Sequence, residues 1–150
     1  KGVIGSTIYF LKSYVGEEDL NSMENAKAIF QLFEKGLLLR LNKSTRQVSI
    51  PLPYQNITVL KLIKGKETIQ PVFLSPMYIL LKLKVKIEIA RNFRIFPGEY
   101  RIESNRIEVR TANMEISLES NGYTFKSQER FFQKARKAQI IKAPSRIRVR

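Results

Sequence analysis

The run YILLKLKVKIEIA, Tyr78 to Ala90, carries the strongest periodicity in the chain. From Leu81 to Ile89 apolar and charged residues alternate without a break. A period of two marks a strand with one buried and one wet face. Leu81, Leu83, Val85, Ile87 and Ile89 are then expected to face a core, with Lys82, Lys84, Lys86 and Glu88 toward water.

On the N-terminal side, Thr7 to Val15 is β-branched and aromatic, stops at Gly16, and reads as a strand. Asn21 with Glu24 resembles a capping box, and Met23, Ala26, Phe30 and Phe33 fall at helical spacing, predicting a helix over about 22–34 that ends at Gly36. Strands follow at 37–41, 47–50 and 57–64, with a weaker one at 68–74 interrupted by Pro71. On the C-terminal side, turn signals separate strands at 100–103, 106–110, 114–119 and 123–126, the last two through Asn121-Gly122. Ser127 is expected to cap a final helix that places Phe131, Ala135 and Ala138 on the sheet.

One hundred and fifty residues suit a single domain that buries about 68–70% of the surface of its unfolded chain. No apolar run approaches the length of a membrane-spanning helix, and no signal peptide is visible. Cysteine and histidine are absent, which removes disulfides, thiolate metal sites and the commonest general base. The expected location is the cytoplasm, with peripheral attachment to the membrane. Formal net charge is +14, divided as +4 over residues 1–75 and +10 over 76–150. Such a surplus favours anionic partners: lipid headgroups, nucleic acid or an acidic protein surface.

Strands first and a capped helix last imply a mainly β fold: an antiparallel β-barrel or orthogonal β-sandwich with a C-terminal capping helix and an additional N-terminal helix. The run Leu37 to Leu62, LLLRLNKSTRQVSIPLPYQNITVLKL, resembles bacterial pleckstrin-homology-like and GRAM-type domains, with Ile50, Pro51, Leu52, Ile57 and Thr58 forming the step into the next strand. The likeness spans about 37–140, and the closing segment with Phe131 and Phe132 inward is similar to that family's ending. It implies one pleckstrin-homology-like domain with a strand-helix extension over about 1–35 and a basic tail over about 141–150. It also implies self-association into a homo-oligomer and, together with the missing catalytic residues, a non-enzymatic adaptor; no cofactor or metal is expected.

No phosphate-cradling glycine loop and no Ser-x-x-Lys nucleophile occur. Glu88, Glu99, Glu103, Glu108, Glu115 and Glu119 lie among basic residues and read as cross-strand ion pairs rather than acid–base groups. Arg40, Lys43 and Arg46 on one hairpin, with Lys64 and Lys66 on another turn, are candidates for an anion or lipid site, near where the resemblance places phosphoinositides. Lys82, Lys84 and Lys86, joined by Arg91, Arg94 and Arg101, read either as protection of an exposed strand or as a positive sheet face for an anionic membrane or protein. The helix residues Arg130, Lys134 and Lys137 and the tail residues Arg146, Arg148 and Arg150 suit lipid or, as an alternative function, nucleic-acid phosphates. Tyr100 and Tyr123 are the aromatic candidates for stacking on bases.

Overall fold

The computed structural model describes residues 4–136, 138–142 and 146–147. In chain order the elements are β1 (Ile4–Gly5), β2 (Tyr9–Val15), β3 (Lys27–Phe33), β4 (Gly36–Lys43), β5 (Arg46–Pro53), β6 (Ile57–Ile63), β7 (Glu67–Ile69), α1 (Pro76–Lys82), α2 (Ile87–Ala90), β8 (Tyr100–Ile102), β9 (Asn105–Thr111), β10 (Glu115–Ser120), α3 (Phe125–Phe132), β11 (Gln139–Ile141) and β12 (Arg146–Ile147). They group into two compact units: Lys1–Lys64 with Ser104–Lys142, and Gly65–Glu103 with Ala143–Arg150.

The first unit is a nine-stranded sheet in the order β11-β6-β9-β10-β2-β3-β4-β5, with β1 added to β3. Its pairs are antiparallel except β11 beside β6. Among the described residues β5 and β11 end the ladder, so the barrel form of the expectation is not closed. Alternation decides which face is buried. Ala28 and Phe30 of β3, Leu39 and Leu41 of β4, Leu60 and Leu62 of β6, and Ile107 and Val109 of β9 all enter one core. Helix α3 brings Phe131 and Phe132 into that core, where the Phe132 ring lies edge-on to Tyr9 and Phe30 with centroids 6.5 and 5.5 Å away.

Several expectations are corrected here. The helix expected at about 22–34 is a single 3-10 turn, Asn21–Met23, followed by β3. Asn25 at φ 60 ends the turn, and beyond it Ala26, Ala28 and Phe30 are buried while Lys27 and Ile29 are exposed, a period of two hidden under an apparent period of 3.6. Gly36 terminates no helix. It opens β4, where a Cβ would meet the Leu52 carbonyl at 2.5 Å and the Pro53 Cα at 2.8 Å. Asn121-Gly122 makes no hairpin, because the Asn121 side chain accepts from the Tyr123 amide and starts a 3-10 turn that runs into α3. The strand at 123–126 is therefore absent, and α3 begins at Phe125, ahead of Ser127. Gln128 fastens α3 to the sheet: its amide nitrogen donates to Ser120 and Thr124, while its oxygen accepts from Asn105 at 3.0 Å. Both Gln128 and Asn105 are fully buried, so this closed network satisfies groups that would otherwise destabilise the core.

The second unit overturns the main expectation. Tyr78 to Ala90 is not a strand but two short helices, α1 and α2. Ser75 caps α1 by accepting from the Tyr78 amide, and Pro76 occupies the first turn, where its missing N–H is harmless. Met77 is buried and Leu80 and Leu81 pack partly against it, the i, i+3, i+4 spacing of a helix. Helix α1 ends in a Schellman arrangement, the Lys84 amide donating to the Leu81 carbonyl and the Val85 amide to Leu80. The break then resets the phase, and Ile87 and Ala90 carry the next apolar pair. Two helical stripes, out of step across one left-handed residue, imitate an alternating strand. Among the described residues only β7, β8 and the backbone of β12 form sheet in this unit, and the weak strand at 68–74 shrinks to Glu67–Ile69.

Lys84 holds φ 59, a conformation that costs a residue with a Cβ about 1–2 kcal/mol. Lys84→Gly is expected to raise the unfolding free energy by up to about 1 kcal/mol, the relieved strain exceeding the added freedom of the unfolded chain. Chemical denaturation at constant m-value checks this, and a lower midpoint would refute it.

Candidate functional site

The polar centre of the second unit is Glu99, fully buried. One carboxylate oxygen accepts from the Val72 amide at 3.0 Å and from the Ser75 hydroxyl, and the other from the Ile95 and Phe96 amides at 2.9 and 3.1 Å. Burial pushes its pKa up, but the Ser75 hydroxyl and three backbone amides outweigh that and hold it below the usual carboxylate range. The same Ser75 oxygen caps α1, so one side chain ties two loops and a helix start together. Beside it, Tyr100 donates to Glu67 at 2.7 Å and accepts from Arg91 at 3.0 Å. Burial first, and then the bond to Glu67, push the Tyr100 phenol up to about 12, with Arg91 pulling the other way.

What this polar frame displays is apolar. Phe73 is 71% exposed, Leu74 65% and Ile95 64%, with Phe96 half exposed. Leu74 sits at φ 61, so an exposed leucine is held in a conformation that itself costs energy. Leu83, at the end of α1, is 70% exposed. The Phe73 ring meets Tyr78 edge-on at 5.4 Å, and the Lys82 ammonium lies 5.5 Å from the centre of the other side of this pair, the Tyr78 ring. Lys84 and Lys86 are exposed in the turn between the helices.

The basic residues expected to bind anions are distributed differently from the sequence reading. Lys82, Lys84 and Lys86 do share a region, but on helix ends and a turn rather than on a strand face. Arg94 and Arg101 are exposed, while Arg91 is half-buried over the Tyr100 ring. On the first hairpin, Lys43 donates to the Ser22 and Glu24 carbonyls at 3.0 and 2.8 Å, and Arg46 donates to the Ser22 hydroxyl. Both cations are spent on closing the 3-10 turn. Arg40 instead lines an open groove of about 440 Å³ together with Ile8, Lys27, Ile29 and Ser49. Lys64 is half-buried with its ammonium 5.9 Å from the Phe125 ring centre, and Lys66 is exposed in the second unit. Arg130 on α3 and Lys134 just beyond it are exposed. Lys137, Arg148 and Arg150 lie outside the described residues, and Arg146 is described only as backbone of β12 paired with Thr68. Tyr100 is buried and offers no face for a base, whereas Tyr123 is exposed.

Sequence reasoning missed Lys27, which fell inside the expected helix; in β3 it stands two residues from Ile29, the partner of Arg40. It also missed Glu99, one glutamate among several. Of the other glutamates, Glu115 pairs with Arg110 at 2.9 Å and Glu119 with Arg106 at 3.7 Å across β9 and β10, whereas Glu88 lies on helix α2 and not on a strand. Among the described residues no three acidic side chains gather as metal ligands do, and no helix is long and apolar enough to cross a membrane. Comparison with protein-family models, curated proteins and solved structures found no match.

Proposed function

We propose that this chain is a non-enzymatic binding module that docks on an anionic membrane surface, with a pleckstrin-homology-like larger unit and the Gly65–Glu103 segment as its docking element. The observation that carries the reading is the mixture displayed by that segment: Phe73, Leu74, Leu83 and Ile95 exposed in the same unit as Lys82, Lys84 and Lys86. Apolar groups at the acyl boundary and lysines at the headgroups are the two contributions an interfacial protein combines. The antiparallel-dominated sheet with α3 fastened to it after β10 supports the pleckstrin-homology-like part, which stands with the Leu37-to-Leu62 resemblance.

Co-sedimentation with vesicles tests it. Binding is expected with phosphatidylserine-containing vesicles, weaker binding with phosphatidylcholine alone, and a fall as salt screens the lysines. Each lysine contributes about 1 kcal/mol near an anionic surface, so replacing Lys82, Lys84 and Lys86 together by Gln is expected to lower the partition coefficient on the order of a hundredfold. Equal pelleting with neutral and anionic vesicles would count against the reading.

A further inference from the structure

Resting on that reading, we infer that two loops of the second unit, Val72–Leu74 and Ile95–Phe96, form one preassembled wedge that enters the acyl layer while Lys82, Lys84 and Lys86 stay among the headgroups. The loops are distant in sequence, yet their amides converge on a single carboxylate. Val72 donates to one Glu99 oxygen, and Ile95 and Phe96 to the other, all within 2.9–3.1 Å. With the backbone amides turned inward to Glu99, the Phe73, Leu74, Ile95 and Phe96 side chains are left exposed.

Satisfied backbone groups matter here. An inserting loop that carries open N–H groups must bring water with it or lose several kcal/mol per group. Three of these amides are already bonded inside the protein. Leu74 adds an independent sign. Leu74 lies in the left-handed region while 65% exposed, so little packing offsets the cost of that conformation, and it is held there by the turn in which the Ser75 amide bonds to the Val72 carbonyl at 3.0 Å. Charge selects the occupant. Phe73 packs on Tyr78 and Tyr78 on the Lys82 ammonium, so the apolar tip grades into a cation within one contact chain, which suits an anionic bilayer better than an uncharged apolar partner.

The chain has no tryptophan, so the Phe73→Trp variant of the full protein carries a single indole reporter. With vesicles of equal parts phosphatidylcholine and phosphatidylserine, its emission is expected to shift to the blue and to be quenched by lipids brominated on the acyl chains. A Phe10→Trp variant, which reports from the solvent-facing side of strand β2, is expected to show neither change. The Phe73→Ser/Leu74→Ser double variant is expected to lose about tenfold in partition per residue, with its circular dichroism and thermal midpoint retained because both side chains are solvent-exposed. If the wild type fails to pellet with anionic vesicles, the proposed function itself falls. If it pellets but the Phe73→Trp indole is not quenched and the double variant binds normally, only the wedge is overturned. The wedge is equally overturned if gel filtration shows a dimer that the double variant dissociates, since the apolar tip would then meet a second copy of the chain.

Discussion

Replacing Glu99 by Gln is expected to cost about 3–5 kcal/mol of unfolding free energy, as great a loss as any predicted for this chain. The carboxylate accepts from four donors at once, and bonds to a charged acceptor are worth about 1.5–3 kcal/mol each before the cost of leaving partners unpaired. The amide keeps the shape, but it offers one acceptor oxygen in place of two and points an NH₂ group at donors. Chemical denaturation measures the loss, and a value under about 1 kcal/mol would show that the clamp is incidental. A pH titration provides a second reading. Because the folded pKa is depressed, the stabilisation from this group is fully present above its unfolded value of about 4.3 and is lost as pH falls through the lower folded value. Wild-type stability is therefore expected to decline below about pH 4, and the Glu99→Gln variant to show a shallower decline over the same interval.

A comparable loss, about 3–5 kcal/mol, is expected for Phe132→Ala in the first unit. Phe132 is 1% exposed and touches three other rings, Tyr9, Phe30 and Phe131, at centroid distances of 6.5, 5.5 and 5.1 Å. Truncation removes the transfer free energy of the ring and leaves a cavity bounded by strands that cannot collapse without breaking the ladder. Lys134→Ala, two residues away and exposed, is expected to stay within about 0.5 kcal/mol of wild type. A small effect from Phe132→Ala would mean that α3 does not close this core.

Much of the sheet was legible in local pattern. Strands β2, β4, β5, β6, β9 and β10 were read within a few residues, because each buries one face, and turn residues such as Asn42 to Arg46 and Thr111 to Asn113 mark where pairing reverses. The two longest misreadings share a cause. Residues 22–34 and 78–90 both contain spacings that satisfy periods of 2 and 3.6 over a few residues, and each phase is reset by a residue at positive φ, Asn25 in one and Lys84 in the other. The Ser75-Pro76 start of α1 was present in the sequence but was outweighed by the longer alternation.

Local order along the chain thus settled that the first unit is an antiparallel-dominated sheet and that cations concentrate in the second half. Tertiary structure alone decided which cations remain exposed, since Lys43 and Arg46 are drawn off by carbonyl and hydroxyl oxygens some twenty residues away. It also decided that Phe73, Leu74, Ile95 and Phe96 face outward. An apolar residue is driven inward only where a surface exists to cover it. Here the local interior is occupied by a carboxylate whose hydrogen bonds, made to amides 3 to 27 residues away, turn the backbone in and leave the side chains out.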